Sequence, residues 1–228
     1  MSKVTPQQVQ MARDCYDDCL AELDRGLGRM LERLESRGLA RTTWIVVTSD
    51  HGEAFGEHGR FGHGNSLHQQ VTHVPLLIIP PLEDAPGTPS VINTPVSLRD
   101  LPATIMDLVG VDSETAFPGS SLRQLWDSSA STKPLSPVLT EIVDREKSDP
   151  SSWKTGASVI SDGLTYLRSV DGVESLYDLL ADPRETNNLS SLSQHQEQLA
   201  RLRALVKSYV PANPDDPRQI EDDDVDDD

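Results

Sequence analysis

The chain has 228 residues, 36% hydrophobic and 4% aromatic, and a formal net charge of −17, about half of it within Asp215–Asp228. That length bounds one sizeable domain or one and a half small ones. The absence of a basic stripe disfavours nucleic acid as a partner, two cysteines exclude a framework of several disulfides, and no apolar run has the pattern of a membrane span or a secretion signal.

Thr5-Pro6 followed by Gln7 and Gln8 is a helix-start signal, and the spacing predicts one helix over residues 5–39. Leu20, Leu23, Leu27, Met30, Leu31 and Leu34 recur at helical intervals along it, and Gly38 supplies a stop. Cys15 and Cys19 fall one turn apart on this helix and read as core or half-buried thiols. Trp44–Val47 is then a short apolar run rich in β-branched residues, and Val74–Ile79 is a second; both read as strands buried on two faces. Helix followed by buried strand is the αβ half of a βαβ unit. Pro80–Thr94 is a loop. Ser97 caps an expected helix over 98–109, closed by Gly110, and residues 111–136 form a loop with a short turn at Leu122–Trp126. Pro137–Ile142 reads as a strand. Residues 157–160, 164–169 and 174–178 follow as short strands separated by Asp162-Gly163 and Asp171-Gly172, which is the pattern of an antiparallel meander. A last helix, His195–Tyr209, turns Leu199, Leu202, Leu205 and Val206 inward, and the acidic segment from Pro211 is expected to be disordered.

The chemistry concentrates between the two apolar runs, where five of the six histidines lie together with Asp50, Glu53 and Glu57. A strand ending abruptly in Ser49-Asp50-His51-Gly52 delivers an acid and an imidazole to the carboxyl edge of a sheet, where open α/β sheets bind ligands. Adjacent strand residues point to opposite faces, so both reach one ion only if the chain bends, and Gly52 permits a bend. From spacing alone two readings stand: Asp50 and His51 ligate a divalent ion, or Asp50 caps the loop and His51 packs. Oxygen-rich sites favour calcium and imidazole-rich sites zinc. His58, His63, His68 and His73 recur every five residues, a period of neither helix nor strand. Surface histidine is the plain reading for any one of them, although His58 and His63 have glycine neighbours that allow close approach. No HExxH, GxSxG or P-loop pattern occurs.

The stretch TSDHGEAFGEHGRFGHGNSLHQQVTHVPLLIIPP resembles the second signature region of the sulfatase family, within the alkaline-phosphatase-like superfamily. Four further segments agree in order: Tyr16–Leu34 with Asp24 and Gly28; Ser97-Leu98-Arg99-Asp100-Leu101-Pro102-Ala103-Thr104; Pro118-Gly119-Ser120-Ser121-Leu122; and Leu176-Tyr177-Asp178-Leu179 with Asp182-Pro183 and Glu185 to Leu189. The likeness runs over nearly all of residues 10–210 and implies an α/β fold: a partial mixed sheet flanked by helices, then a small antiparallel β subdomain with a C-terminal helix. It assigns residues 1–136 to the later part of the α/β catalytic domain, 137–210 to the small subdomain with its helix, and 211–228 to the acidic tail.

Carried over by residue, the resemblance implies that Asp50 is a metal carboxylate, for calcium in sulfatases. His51 stands where many members have an Asn ligand and where two-zinc relatives have a zinc-binding His. His63 matches the His or Lys that contacts the sulfate group and assists the leaving oxygen. Glu53, Glu57 and His58 match signature positions without an assigned role. The family's Cys/Ser-x-Pro/Ala-x-Arg motif, the source of formylglycine, does not occur: Cys15 is followed by Tyr-Asp-Asp and Cys19 by Leu-Ala-Glu. Nor does the early Asp-Asp metal pair. The resemblance therefore covers only a C-terminal portion, and it implies a sulfuric ester hydrolase fragment, inactive alone, whose nucleophile a missing N-terminal half would supply. Family members are commonly exported, and no export signal falls within these residues. The alternatives are a zinc phosphodiesterase or phosphonate hydrolase of the same superfamily, and a non-catalytic remnant or partner-binding module.

Overall fold

The computed structural model describes residues 4–64, 66–83, 90–111, 117–127, 135, 137–144 and 154–210. The acidic tail and its expected disorder lie outside them, as do parts of the two long loops. The chain folds into two compact units, residues 1–64 with 73–91 and residues 65–72 with 92–228.

In the first unit, helix α1 runs from Pro6 to Ser36, three residues short of the expected end. Thr5 and Gln8 form a reciprocal cap, with the Gln8 N–H donating to Thr5 Oγ1 and the Thr5 N–H to Gln8 Oε1. No residue of α1 is buried. Leu27, Leu31 and Leu34 of the expected inward stripe are half-buried, while Leu20, Leu23 and Met30 are exposed. Cys15 and Cys19 are also exposed, which corrects the core or half-buried reading.

Strand β1 (Ile45–Thr48) pairs antiparallel with β4 (Leu76–Ile79) in the register Ile45↔Ile79 to Thr48↔Leu76. The Thr48 hydroxyl donates to the Pro75 carbonyl at 2.8 Å. The expectation of burial on both faces fails here. Along β4 exposure alternates, with Leu77 and Ile79 on the open side, because a two-stranded antiparallel pair has one wet face. Between them a hairpin unforeseen in the sequence joins β2 (Ala54–Phe55) to β3 (Phe61–Gly62), paired Ala54↔Gly62 and Phe55↔Phe61. The Phe55 ring meets Tyr16 of α1 edge-on at 5.3 Å, and Arg13 of α1 pairs with Glu57 in the hairpin turn.

In the second unit, short helix α2 (Gln69–Thr72) is held by Glu185, which is 1% exposed and accepts from His68 Nδ1 at 2.8 Å and from the Gln69 N–H at 3.0 Å. A tight 3-10 turn over Leu98–Asp100 leads into α3 (Leu101–Leu108), in place of one continuous helix over 98–109. The Asp100 carboxylate explains two of the sequence motifs at once. It accepts from the Ser97 N–H and, at 2.9 Å, from the Ser120 N–H. Thr104 then donates to the Asp100 carbonyl and accepts from the Leu122 N–H. Gly119 at φ +98 lets the chain close over Asp100; a Cβ there would lie 2.6 Å from Oδ1.

Strands β5 (Val138–Asp144), β6 (Lys154–Ser161), β7 (Leu164–Arg168) and β8 (Glu174–Asp178) form the expected meander in the order β5-β6-β7-β8. Asp162 (φ 54) and Gly163 (φ 76) make the two-residue turn between β6 and β7. The β7–β8 loop is longer than Asp171-Gly172 alone, because Ser169 and Val173 close it through their backbones and the Ser169 hydroxyl. Helix α4 (Gln196–Tyr209) lays Leu199, Leu202 and Val206 on the sheet against Ala157, Val159, Tyr166 and Leu176. The Asn188 side chain accepts from the Leu176 N–H, tying the segment after β8 to the strand. Among the described residues no helix is long and apolar enough to cross a membrane.

Candidate active site

The site is built at the carboxyl end of β1. Ser49 Oγ donates to the His51 carbonyl at 2.7 Å, and Asp50 Oδ1 accepts from the His51 N–H at 3.0 Å. The chain bends at Asp50, and these two side-chain hydrogen bonds span the bend. Backbone N–H groups of His51 and of Asp50 itself hold the Asp50 carboxyl below its usual value, which keeps it ionised.

The turn brings Asp50 and His51 to one side: Asp50 Oδ2 lies 3.7 Å from His51 Nε2. His51 Nδ1 sits 2.9 Å from the Gly52 carbonyl. A carbonyl only accepts, so Nδ1 carries the proton and the neutral ring keeps its lone pair on Nε2. A second-sphere hydrogen bond of this kind fixes the tautomer of a ligating imidazole. One carboxylate oxygen and one imidazole nitrogen at this spacing fit two positions around a single divalent ion, though six to eight oxygens would be needed to complete calcium. Asp50 thus accepts from the turn through Oδ1 and faces His51 through Oδ2.

His63 joins this pair. Its ring stacks on His51 with centroids 3.9 Å apart and planes inclined by 23°. Its Nδ1 lies 3.0 Å from Glu53 Oε2. Asp50, His51 and His63 are thus collected from two segments of chain, and the β2–β3 hairpin carries His63 back to the end of β1. Glu53 is the partner that sequence reasoning left without a role. Its signal was its place in Ser-Asp-His-Gly-Glu, but the contact depends on a hairpin of two-residue strands, too short to show alternation. Glu57 has a supporting part, accepting from the Phe55 N–H at 2.6 Å and from Arg13. Both contacts, together with the Glu57 backbone, offset burial and hold its carboxyl low.

The family profile described as Sulfatase matches residues 2–111. Arylsulfatase K of Xenopus laevis is 33% identical over 210 residues, covering 89% of this chain and 38% of that protein. An N-acetylglucosamine-6-O-sulfatase of Bacteroides thetaiotaomicron is 27% identical, covering 92% of this chain and 38% of its own length. The chain therefore spans under two fifths of these relatives. Among solved structures, the phosphonate monoester hydrolase of Agrobacterium radiobacter superposes with a TM-score of 0.73 at 24% identity, over 90% of this chain and 42% of that one; that likeness speaks for the fold alone.

Proposed function

The chain belongs to the sulfatase family, and from that premise we propose that it carries the metal and leaving-group part of a sulfate-ester hydrolase site. The observation that carries this reading is the convergence of Asp50 and His51 on one side of the β1 turn with His63 stacked against them. Asp50 and His51 would hold the divalent ion, calcium in the first instance, whose charge polarises the sulfate oxygens. His63 serves the other end of the scissile bond. Negative charge develops on the bridging oxygen as the sulfur–oxygen bond breaks, and a proton donated there from Nε2 of the doubly protonated ring neutralises it, leaving the neutral ring with its proton on Nδ1. With Nδ1 engaged by Glu53, Nε2 is the atom offered to that oxygen.

These residues lack a nucleophile, because no Cys/Ser-x-Pro/Ala-x-Arg motif occurs in the sequence. Formylglycine would come from a complementary earlier part of the enzyme, and residues of a catalytic set act as a unit, so the chain alone should be inactive. The test is to mix it with a separately produced sulfatase segment bearing that motif and follow an aryl sulfate. Hydrolysis should appear only in the mixture, and Asp50→Ala should abolish it together with the calorimetric signal of calcium binding to the chain. Full activity in Asp50→Ala would overturn the metal assignment.

A second reading is favoured by one residue. The imidazole at 51 suits zinc better than calcium, and with zinc the same geometry would serve a phosphodiester or phosphonate ester. Zinc binding without calcium binding, with phosphonate ester turnover in the mixture, would select it. Failure of every mixture on both ester classes would leave a non-catalytic remnant of the fold.

A further inference from the structure

We infer that Glu53 is the positioning residue for His63, fixing its tautomer and the plane of its ring. The inference rests on the reading of His63 given above and adds the group that orients it.

Three observations carry it. Glu53 Oε2 stands 3.0 Å from His63 Nδ1, and a carboxylate receives the proton there. The Glu53 side chain is 23% exposed while that of His63 is 51% exposed, so the acid is the better anchored of the two. The contact is also set by the backbone. Ala54 pairs with Gly62 across the β2–β3 hairpin, and one further step in that antiparallel register places residue 53 opposite residue 63, the arrangement in which cross-strand side chains meet. Gly62 has φ +78, and even a Cβ there would come within 3.6 Å of Glu53 Oε1. The hairpin thus delivers His63 onto a fixed acceptor.

The adjoining ring is held in the same way. Gly52 accepts from His51 Nδ1 at 2.9 Å, so consecutive residues 52 and 53 engage the Nδ1 atoms of the two stacked imidazoles. Both rings then present Nε2 for chemistry, one toward the Asp50 carboxylate and one toward the leaving oxygen. An imidazole without such an acceptor rotates about its side-chain bonds and favours the opposite tautomer in water, with the proton on Nε2.

The first experiment needs no activity. Nitrogen-15 spectra of the neutral His63 ring are recorded at alkaline pH in the wild-type chain, in Glu53→Ala and in Glu53→Gln. The wild type should show the proton on Nδ1, Glu53→Ala should move it largely to Nε2, and Glu53→Gln should keep it on Nδ1, since the amide oxygen accepts too. A proton on Nε2 in the wild type, or identical spectra for wild type and Glu53→Ala, would overturn the inference. The second experiment uses the reconstituted mixture. Glu53→Ala should lower kcat on the order of tenfold with KM little changed, and Glu53→Gln should recover most of the loss. A change confined to KM, or equal losses in both variants, would count against positioning. If the wild-type mixture hydrolyses nothing, the proposed function fails, and the spectra still decide whether Glu53 holds the ring.

Discussion

The β5–β8 sheet and α4 close around eight buried apolar side chains, from Ala157 to Val210, whereas the unit bearing Asp50, His51 and His63 buries the apolar Ala54 and leaves Leu20, Leu23, Met30, Leu77 and Ile79 open to solvent. The two regions divide the labour of the fold. One contains what a core needs: a sheet face, a helix with an apolar stripe, and strands long enough to alternate. The other contains the candidate site, held by hydrogen bonds among polar side chains and short elements. Density of signature motifs and density of packing are therefore separate properties of this chain, and the site lies in the part with less apolar cover of its own.

The most forceful way to break that contrast is Leu202→Ala. Leu202 is 0% exposed beneath the sheet, so truncation should cost about 2–5 kcal/mol. Hydrogen exchange should then speed up in β6 and β7, while the amides of β1 and β4 should exchange fast in the wild type already. Comparable protection in β1 and β6 would contradict the division. Gly119→Ala comes next: with φ +98 and the new Cβ 2.6 Å from the Asp100 carboxylate, it should cost more than about 1 kcal/mol in a thermal melt. A neutral outcome would show that the polar staple is slack.

Smaller effects sharpen the picture. Arg203 donates two hydrogen bonds to Glu174, and Tyr166 a third, and these hold the Glu174 carboxyl below its ordinary 4.5. A depressed folded-state value means that this stabilisation is complete above the unfolded value and is lost as pH falls through the folded one. The melting temperature of the wild type should therefore drop more steeply below about pH 4 than that of Glu174→Gln. With Arg203 39% exposed, the difference at neutral pH should stay within about 1 kcal/mol. Equal slopes would show the network to be solvated. Least of all, Arg13→Ala removes a pair whose partners are 44% and 38% exposed, and should shift stability by no more than about 1 kcal/mol.

Much of this was legible in the sequence where a local rule decides the outcome. Asp162-Gly163 names its turn because both residues must take positive φ, and Thr5 and Gln8 name the start of α1 by capping each other. Asp50, His51 and His63 stand in one motif-bearing stretch, and the structure places them side by side. What could not be read depends on residues far apart in the chain. The hold of Glu185 on His68 spans 117 positions, the Asp100–Ser120 bond spans 20, and Glu53 finds His63 only because the hairpin register sets it there. The exposure of β4 escapes the sequence for a related reason: apolar content announces a preference for burial, but the neighbour that would satisfy it is not written in the strand itself.

Cys15 and Cys19 stand exposed a turn apart on α1, on the helix that also displays Leu20, Leu23 and Met30. That pair is a native footprinting probe. A fluorogenic reagent that bridges two neighbouring thiols would light up α1 without any engineered tag. Its reaction rate would then report directly on whether another chain has come to lie over that face.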